Sequence, residues 1–207
     1  MAKKSISQED DIKREFNFTT HSIISQVLRG VLVGIFAGLV VGIFRFLIEK
    51  IFHLVQDVYH RSQQSMLWLL ALVLIYAFIV LLNARLVKSE KNIKGSGIPQ
   101  VEAELKGLMS LSWWSVLWKK FVLGILAISG GLMLGREGPS IQLGAMSGKG
   151  VSKFLNLSAA EERALIASGA AAGLAAAFNA PIAGLLFVIE EVYHHFSRFF
   201  WVSTLAA

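Results

Sequence analysis

Arg136 and Glu137 stand side by side in GREGPS (residues 135–140), between the apolar run FVLGILAISGGLML (121–134) and a Gly/Ala-rich stretch. Charges set so deep in apolar sequence are functional candidates by default. Gly135 and Gly138 leave the backbone open to close approach, and Pro139 suits the first turn of a helix, where its missing N–H costs nothing. The chain has three prolines, each inside such a break: Pro99 in GSGIP (95–99), Pro139 in GREGPS and Pro181 in FNAPIAG (178–184). Each reads as a helix start at membrane depth. A helix start exposes unpaired N–H groups and about half a positive charge, so it attracts anions. The Ser96 hydroxyl adds a donor without adding charge. Helix ends hold a monovalent anion more loosely than a full lysine charge would, which suits passage rather than trapping. Glu137, when ionised, mimics an anion and can take its place; when protonated it leaves. One side chain can thereby link proton uptake to anion access.

Plainer readings stand beside these. Arg136 and Glu137 could form a buried structural pair, although adjacent residues at a helix start point in different directions. Arg136 alone reads as a charge reaching solvent or a neighbouring carboxylate. Ser96 could be a simple helix cap. Glu190 and Glu191 close the apolar stretch 164–189, where acids are commonly just solvated. His194 and His195 raise a metal site, but no recognised ligand partner lies near them and interfacial histidines fit better. Trp113, Trp114 and Trp118 read as an interfacial aromatic belt. GAMSGKG (144–150) resembles a phosphate loop with its glycine spacing one short and a glycine after the lysine, so it is set aside. With no cysteine in the chain, a disulfide framework and thiolate metal sites are excluded. No metal or cofactor is expected.

The elements that must hold these residues are membrane elements. Hydrophobic residues make up 55% of the 207 and charged ones 16%, whereas soluble domains run near about a quarter charged. The uncharged stretches 66–82 and 164–189 reach spanning length. A first span over 23–52 carries Gly30, Gly34, Gly38 and Gly42, one per helical turn, a smooth stripe for close helix packing. The second span has no such stripe and should face lipid over much of its surface. After Lys94 the apolar segments shorten and are cut by GSGIP, SWW (112–114), GREGPS and FNAPIAG. Broken segments of this kind mark discontinuous helices around a site at membrane depth, since irregular backbone cannot face lipid. Residues 1–22 have no apolar core, so they read as a cytoplasmic lead-in rather than a signal peptide, with 23–207 as one transmembrane domain. The net charge of +6 would raise nucleic acid as a partner for a soluble protein; here it reports orientation, and no nucleic acid is expected. Lys3, Lys4, Lys13 and Arg14 precede the first span, and Arg85, Lys88, Lys91 and Lys94 follow the second. Between the spans stand only Lys50 and Arg61, so the N-terminus and an 83–94 loop belong inside and a 53–65 loop outside.

GSGIP (95–99), GREGPS followed by IQLG (135–144), and GAAAGLAAAFNAPIAGLLFVIEE (169–191) resemble, in order and approximate spacing, the signature segments of the CLC family of chloride channels and chloride/proton antiporters. The resemblance runs from about residue 25 to the end of the chain and covers the first half of a family member. It implies an all-α integral membrane protein, the first of two inverted repeats, with long tilted spans and discontinuous half-helices. The second repeat, absent here, would bring another helix N-terminus and a tyrosine hydroxyl to the same anion. By motif, Ser96, Gly97 and the 135–138 segment (Gly135, Arg136, Glu137, Gly138) would bind the anion. Glu137 would be the gate and external proton acceptor. Glu191 would be the internal proton-transfer acid, with Glu190 beside it; Gln100 stands where many relatives have Glu. The implied function is chloride/proton antiport by a transporter, not an enzyme. The implied setting is a multi-pass homodimer in lipid, and the bare membrane core without a targeting signal reads as a bacterial plasma membrane. A passive chloride channel and a non-transporting fragment remain the alternatives.

Overall fold

The computed structural model describes residues 2–63, 65–132, 134–193 and 198–207, with side chains described over 23–63, 65–132, 134–191 and 202–207. His194 and His195 lie outside the described residues. The described residues are helical without any strand: α1 (Ala2–Ser62), α2 (Met66–Ser89), a 3-10 turn (Lys91–Ile93), α3 (Ile98–Leu105), α4 (Trp113–Ser129), α5 (Glu137–Phe154), α6 (Ala159–Phe178), α7 (Pro181–Phe187), a π-helical stretch (Val188–Tyr193) and α8 (Arg198–Ala206). All three prolines fall in the first turn of a helix, as expected: α3, α5 and α7.

Two expected loops are helix instead. The segment assigned to a 53–65 loop continues α1 to Ser62, and α2 already begins at Met66. The 83–94 segment continues α2 to Ser89. Lys, Arg, Glu and Gln are good helix formers, and neither segment holds a glycine or proline, so polarity alone ends nothing. The apolar stretch 164–189 is likewise not one span. Asn179, at φ 55°, closes α6, and Pro181 opens α7.

The centre of the molecule is the α5–α6 pair. A side chain placed on Gly144, Gly148, Gly169 or Gly173 would strike the partner helix's backbone, at Gly169, Leu165, Gly144 and Ser140 respectively. Two glycines four residues apart on each helix bring the backbones into contact. Nearly all of α5 is buried as a result. Around this pair α1 lays one face: Val33, Ala37, Val41, Phe44 and Ile48, at steps of three and four, are buried. Phe44 inserts over Gly124 of α4 and packs against Phe121 at 5.7 Å between ring centroids. The α1 glycine stripe is only half used, with Gly30 against α8, Gly34 against Ala207 just after it, and Gly38 and Gly42 facing open space. Helix α2 buries Ile79 and Leu86 and exposes most of its remaining length. Residues 23–62 of α1 and all of α2 are long and apolar enough to cross a membrane. Trp114 and Trp118 are exposed, in keeping with a belt, but Trp113 is half-buried and packs on Gly150 of α5.

Candidate functional site

GSGIP and GREGP meet. Gly95 (φ 72°) and Gly97 (φ 97°) adopt the left-handed conformation that favours glycine, and between them they turn the chain into α3. Gly97 is the cap residue, so Ser96 is not; its hydroxyl takes only a long 3.4 Å bond from the Ile98 N–H. The Ser96 backbone and Cβ lie against Gly138, close enough that a side chain there would collide with them. Gly97 is closed off in the same way by Gln142, whose Nε2 donates to the Asn92 carbonyl at 2.8 Å. The α5 helix starts at Glu137, two residues before Pro139, and the Ser140 N–H bonds back to the Arg136 carbonyl at 3.1 Å. Two helix N-termini are thereby brought side by side.

Glu137 sits at this junction as the first residue of α5. Its side chain is exposed, not buried, and has no hydrogen-bond or ion-pair partner among the described residues. Arg136 turns away and faces Glu49 of α1 at 3.6 Å. Mutual pairing of the two neighbours is absent, as the geometry of a helix start requires. The junction therefore gathers Ser96, Gly97, Glu137 and Gly138, while Arg136 is engaged elsewhere and Gly135 has open space around it. Glu190 and Glu191 lie on the π-helical stretch, exposed. That stretch packs against α3 and so belongs to the same part of the fold. π-helical turns are rare and recur at functional sites.

The third break is closed rather than open. Helix α7 folds back on α6, with Gly184 over Ala171 and Ala175. Arg45 of α1 donates to the Ala176 carbonyl at 2.7 Å and to Asn179 Oδ1 at 3.1 Å, satisfying the end of α6. Lys120 of α4, almost fully buried, donates to the Ile93 carbonyl at 3.0 Å and the Gly95 carbonyl at 2.7 Å, so it anchors the loop that carries Ser96. Sequence reasoning passes over both cations. Both are basic groups set within apolar helix, Arg45 alone and Lys120 beside Lys119, but the carbonyls they serve lie far along the chain.

Among the described residues, helices long enough to span a membrane stand with two interrupted helices whose starts converge beside an unpaired carboxylate, the discontinuous-helix architecture of a membrane protein. The profile of the family described as "Voltage gated chloride channel" matches residues 77–207, and the chain belongs to this family of integral membrane proteins. Over 132 residues it is 45% identical to the H(+)/Cl(-) exchange transporter ClcA of Vibrio cholerae serotype O1, covering 63% of this chain and 28% of that protein. The ClcA exchanger of Salmonella arizonae is also 45% identical, over 133 residues. The crystal structure of a slow cyanobacterial Cl-/H+ antiporter superposes with a TM-score of 0.80 at 33% identity, covering 87% of this chain and 44% of that one. A eukaryotic CLC transporter superposes with a TM-score of 0.70 at 24% identity, a likeness of fold. The chain spans 28% of the length of the curated relatives it matches. Its fold is the CLC-type first repeat, with discontinuous half-helices.

Proposed function

We propose that the native protein carrying this chain moves chloride across a bacterial plasma membrane in exchange for protons. Ser96, Gly97 and the backbone of 135–138 form this chain's share of the anion site. Glu137 is its gate and external proton acceptor, and Glu191, with Glu190 beside it, passes protons at the inner side. Arg136 serves the site from outside the first contact sphere, as a cation held by Glu49. The N-terminus is cytoplasmic, residues 1–22 are a lead-in to a 23–207 transmembrane unit, and the complete protein is a homodimer.

The observation that carries this reading is the seating of Ser96 on Gly138, which sets two helix N-termini beside the unpaired Glu137 carboxylate. Each N-terminus offers partial positive charge without a fixed cation. A free carboxylate at that spot is an internal competitor for whatever anion binds. The named activity of the ClcA relatives and of the cyanobacterial antiporter supports exchange over passive conduction.

The test is flux from the native protein in liposomes, with chloride and protons followed together. Wild type should drive protons uphill on a chloride gradient. Glu191→Gln should keep chloride flux and lose proton movement. Unchanged proton coupling in Glu191→Gln would remove Glu191 from the pathway, and uncoupled chloride flux in wild type would establish a passive channel instead.

A further inference from the structure

Helices α3 and α5 run side by side in the same direction, and they are fastened at two levels. At the upper level Gln142 closes over Gly97. At the lower level Lys149 Nζ meets Glu104 Oε1 at 2.5 Å, with both side chains buried. From Gly97 to Glu104 and from Gln142 to Lys149 is seven residues each, about 10.5 Å along a helix axis. The two fastenings therefore hold one register.

The lower fastening is built to be specific. Glu104 stands near the C-terminal end of α3, where a carboxylate opposes the helix dipole. Its second oxygen accepts the Leu111 N–H at 2.6 Å. Lys149 also donates to the Leu111 carbonyl at 2.7 Å and to Ser110 Oγ at 3.3 Å, and Glu162 of α6 lies at 4.0 Å. Lys153, one turn further along α5, holds Glu162 at 2.7 Å. A buried charge with its partner removed is strongly unfavourable, so α3 cannot slide along α5 without breaking this set.

From this geometry we infer that Lys149 and Glu104 are positioning residues that fix the level of Ser96 relative to Glu137. The inference rests on the proposed anion site. Neither group touches the junction; they act through the two helices that end there. The site's affinity for its anion is set by how nearly both helix starts face one point, and a slip of one residue moves Ser96 by about 1.5 Å.

The experiment uses the native protein in liposomes and detergent, with chloride as the probe. Lys149→Met should raise the chloride KM about tenfold while turnover at saturating chloride stays within about twofold, a change of about 1.4 kcal/mol in binding. Lys149→Arg should stay within about twofold of wild type in both. Spin labels on cysteines introduced at Lys94 and Leu134, both exposed in a chain without cysteine, report the junction directly. Their distance distribution should shift or broaden in Lys149→Met and not in Lys149→Arg. An unchanged KM and an unchanged distance in folded Lys149→Met would overturn the inference. Should Lys149→Met fail to fold, Glu104→Gln decides on the same two readouts. If wild type moves no chloride, the proposed function fails, and the label distances still decide the positioning role by themselves.

Discussion

The role proposed for Glu137 rests on what it lacks. A carboxylate at a helix start gains from the dipole, and no cation among the described residues holds it, since Arg136 is turned to Glu49. An acid so placed is free to trade places with another anion. Glu137→Gln keeps the shape and removes the charge, so we expect chloride flux to persist while proton movement falls to background, measured with a pH electrode beside a chloride electrode. Gly138→Ala tests the other half of the junction. The added methyl would press on Ser96, and overpacking of this kind costs ~1–3 kcal/mol. Unfolding of the detergent-solubilised protein would show the loss, and an unperturbed variant would mean that the two loops do not meet closely. At this scale the sequence was informative where local chemistry decides: proline, glycine and a hydroxyl in one short break announce a helix start. It did not show the partners of Lys120 and Arg45 or the Lys149–Glu104 pair, because each meets a group brought near only by folding. Lys149 and Glu104 are 45 residues apart.

Spacing of four between glycines occurs in α1, α5 and α6, and it means different things in each. In α5 and α6 it puts backbone on backbone; in α1 only Gly30 and Gly34 have a neighbour. Periodicity shows that a helix has a smooth face but not whether anything lies on it, which is why the α1 stripe was legible and its partner was not. Gly148→Ala should therefore destabilise by ~1–3 kcal/mol, as its methyl meets the Leu165 carbonyl. Gly38→Ala should gain up to ~1 kcal/mol from helix propensity alone. Thermal melts of the two variants side by side make the comparison, and a large loss at Gly38 would reveal a segment covering that face. Helix ends were the least legible feature. The 53–62 and 83–89 segments are polar yet helical, whereas Asn179–Pro181, Asn156 after α5 and the glycine-rich turns stop a helix sharply.

At the scale of the whole molecule, two ion pairs mark levels along α1. Arg29 meets Glu161 at the start of α6, and Glu49 meets Arg136 at the start of α5. Twenty residues of helix separate Arg29 from Glu49, about 30 Å, which matches the hydrocarbon thickness of a bilayer. Helix α2 begins at Met66, close behind the end of α1 at Ser62, and Arg85 and Lys88 stand about 30 Å along it, a bilayer's hydrocarbon thickness from the α1–α2 connection. The proposed orientation puts that basic end of α2 in the cytoplasm. Glu137, at the Glu49 level, then faces the outside, as an external proton acceptor must. Single cysteines test this, since the chain has none of its own. A cysteine at Gln63 should react with an impermeant reagent added to intact cells, and one at Lys91 should react only after the cells are opened. The reverse pattern would place Glu137 at the cytoplasmic side and exchange the roles proposed for Glu137 and Glu191.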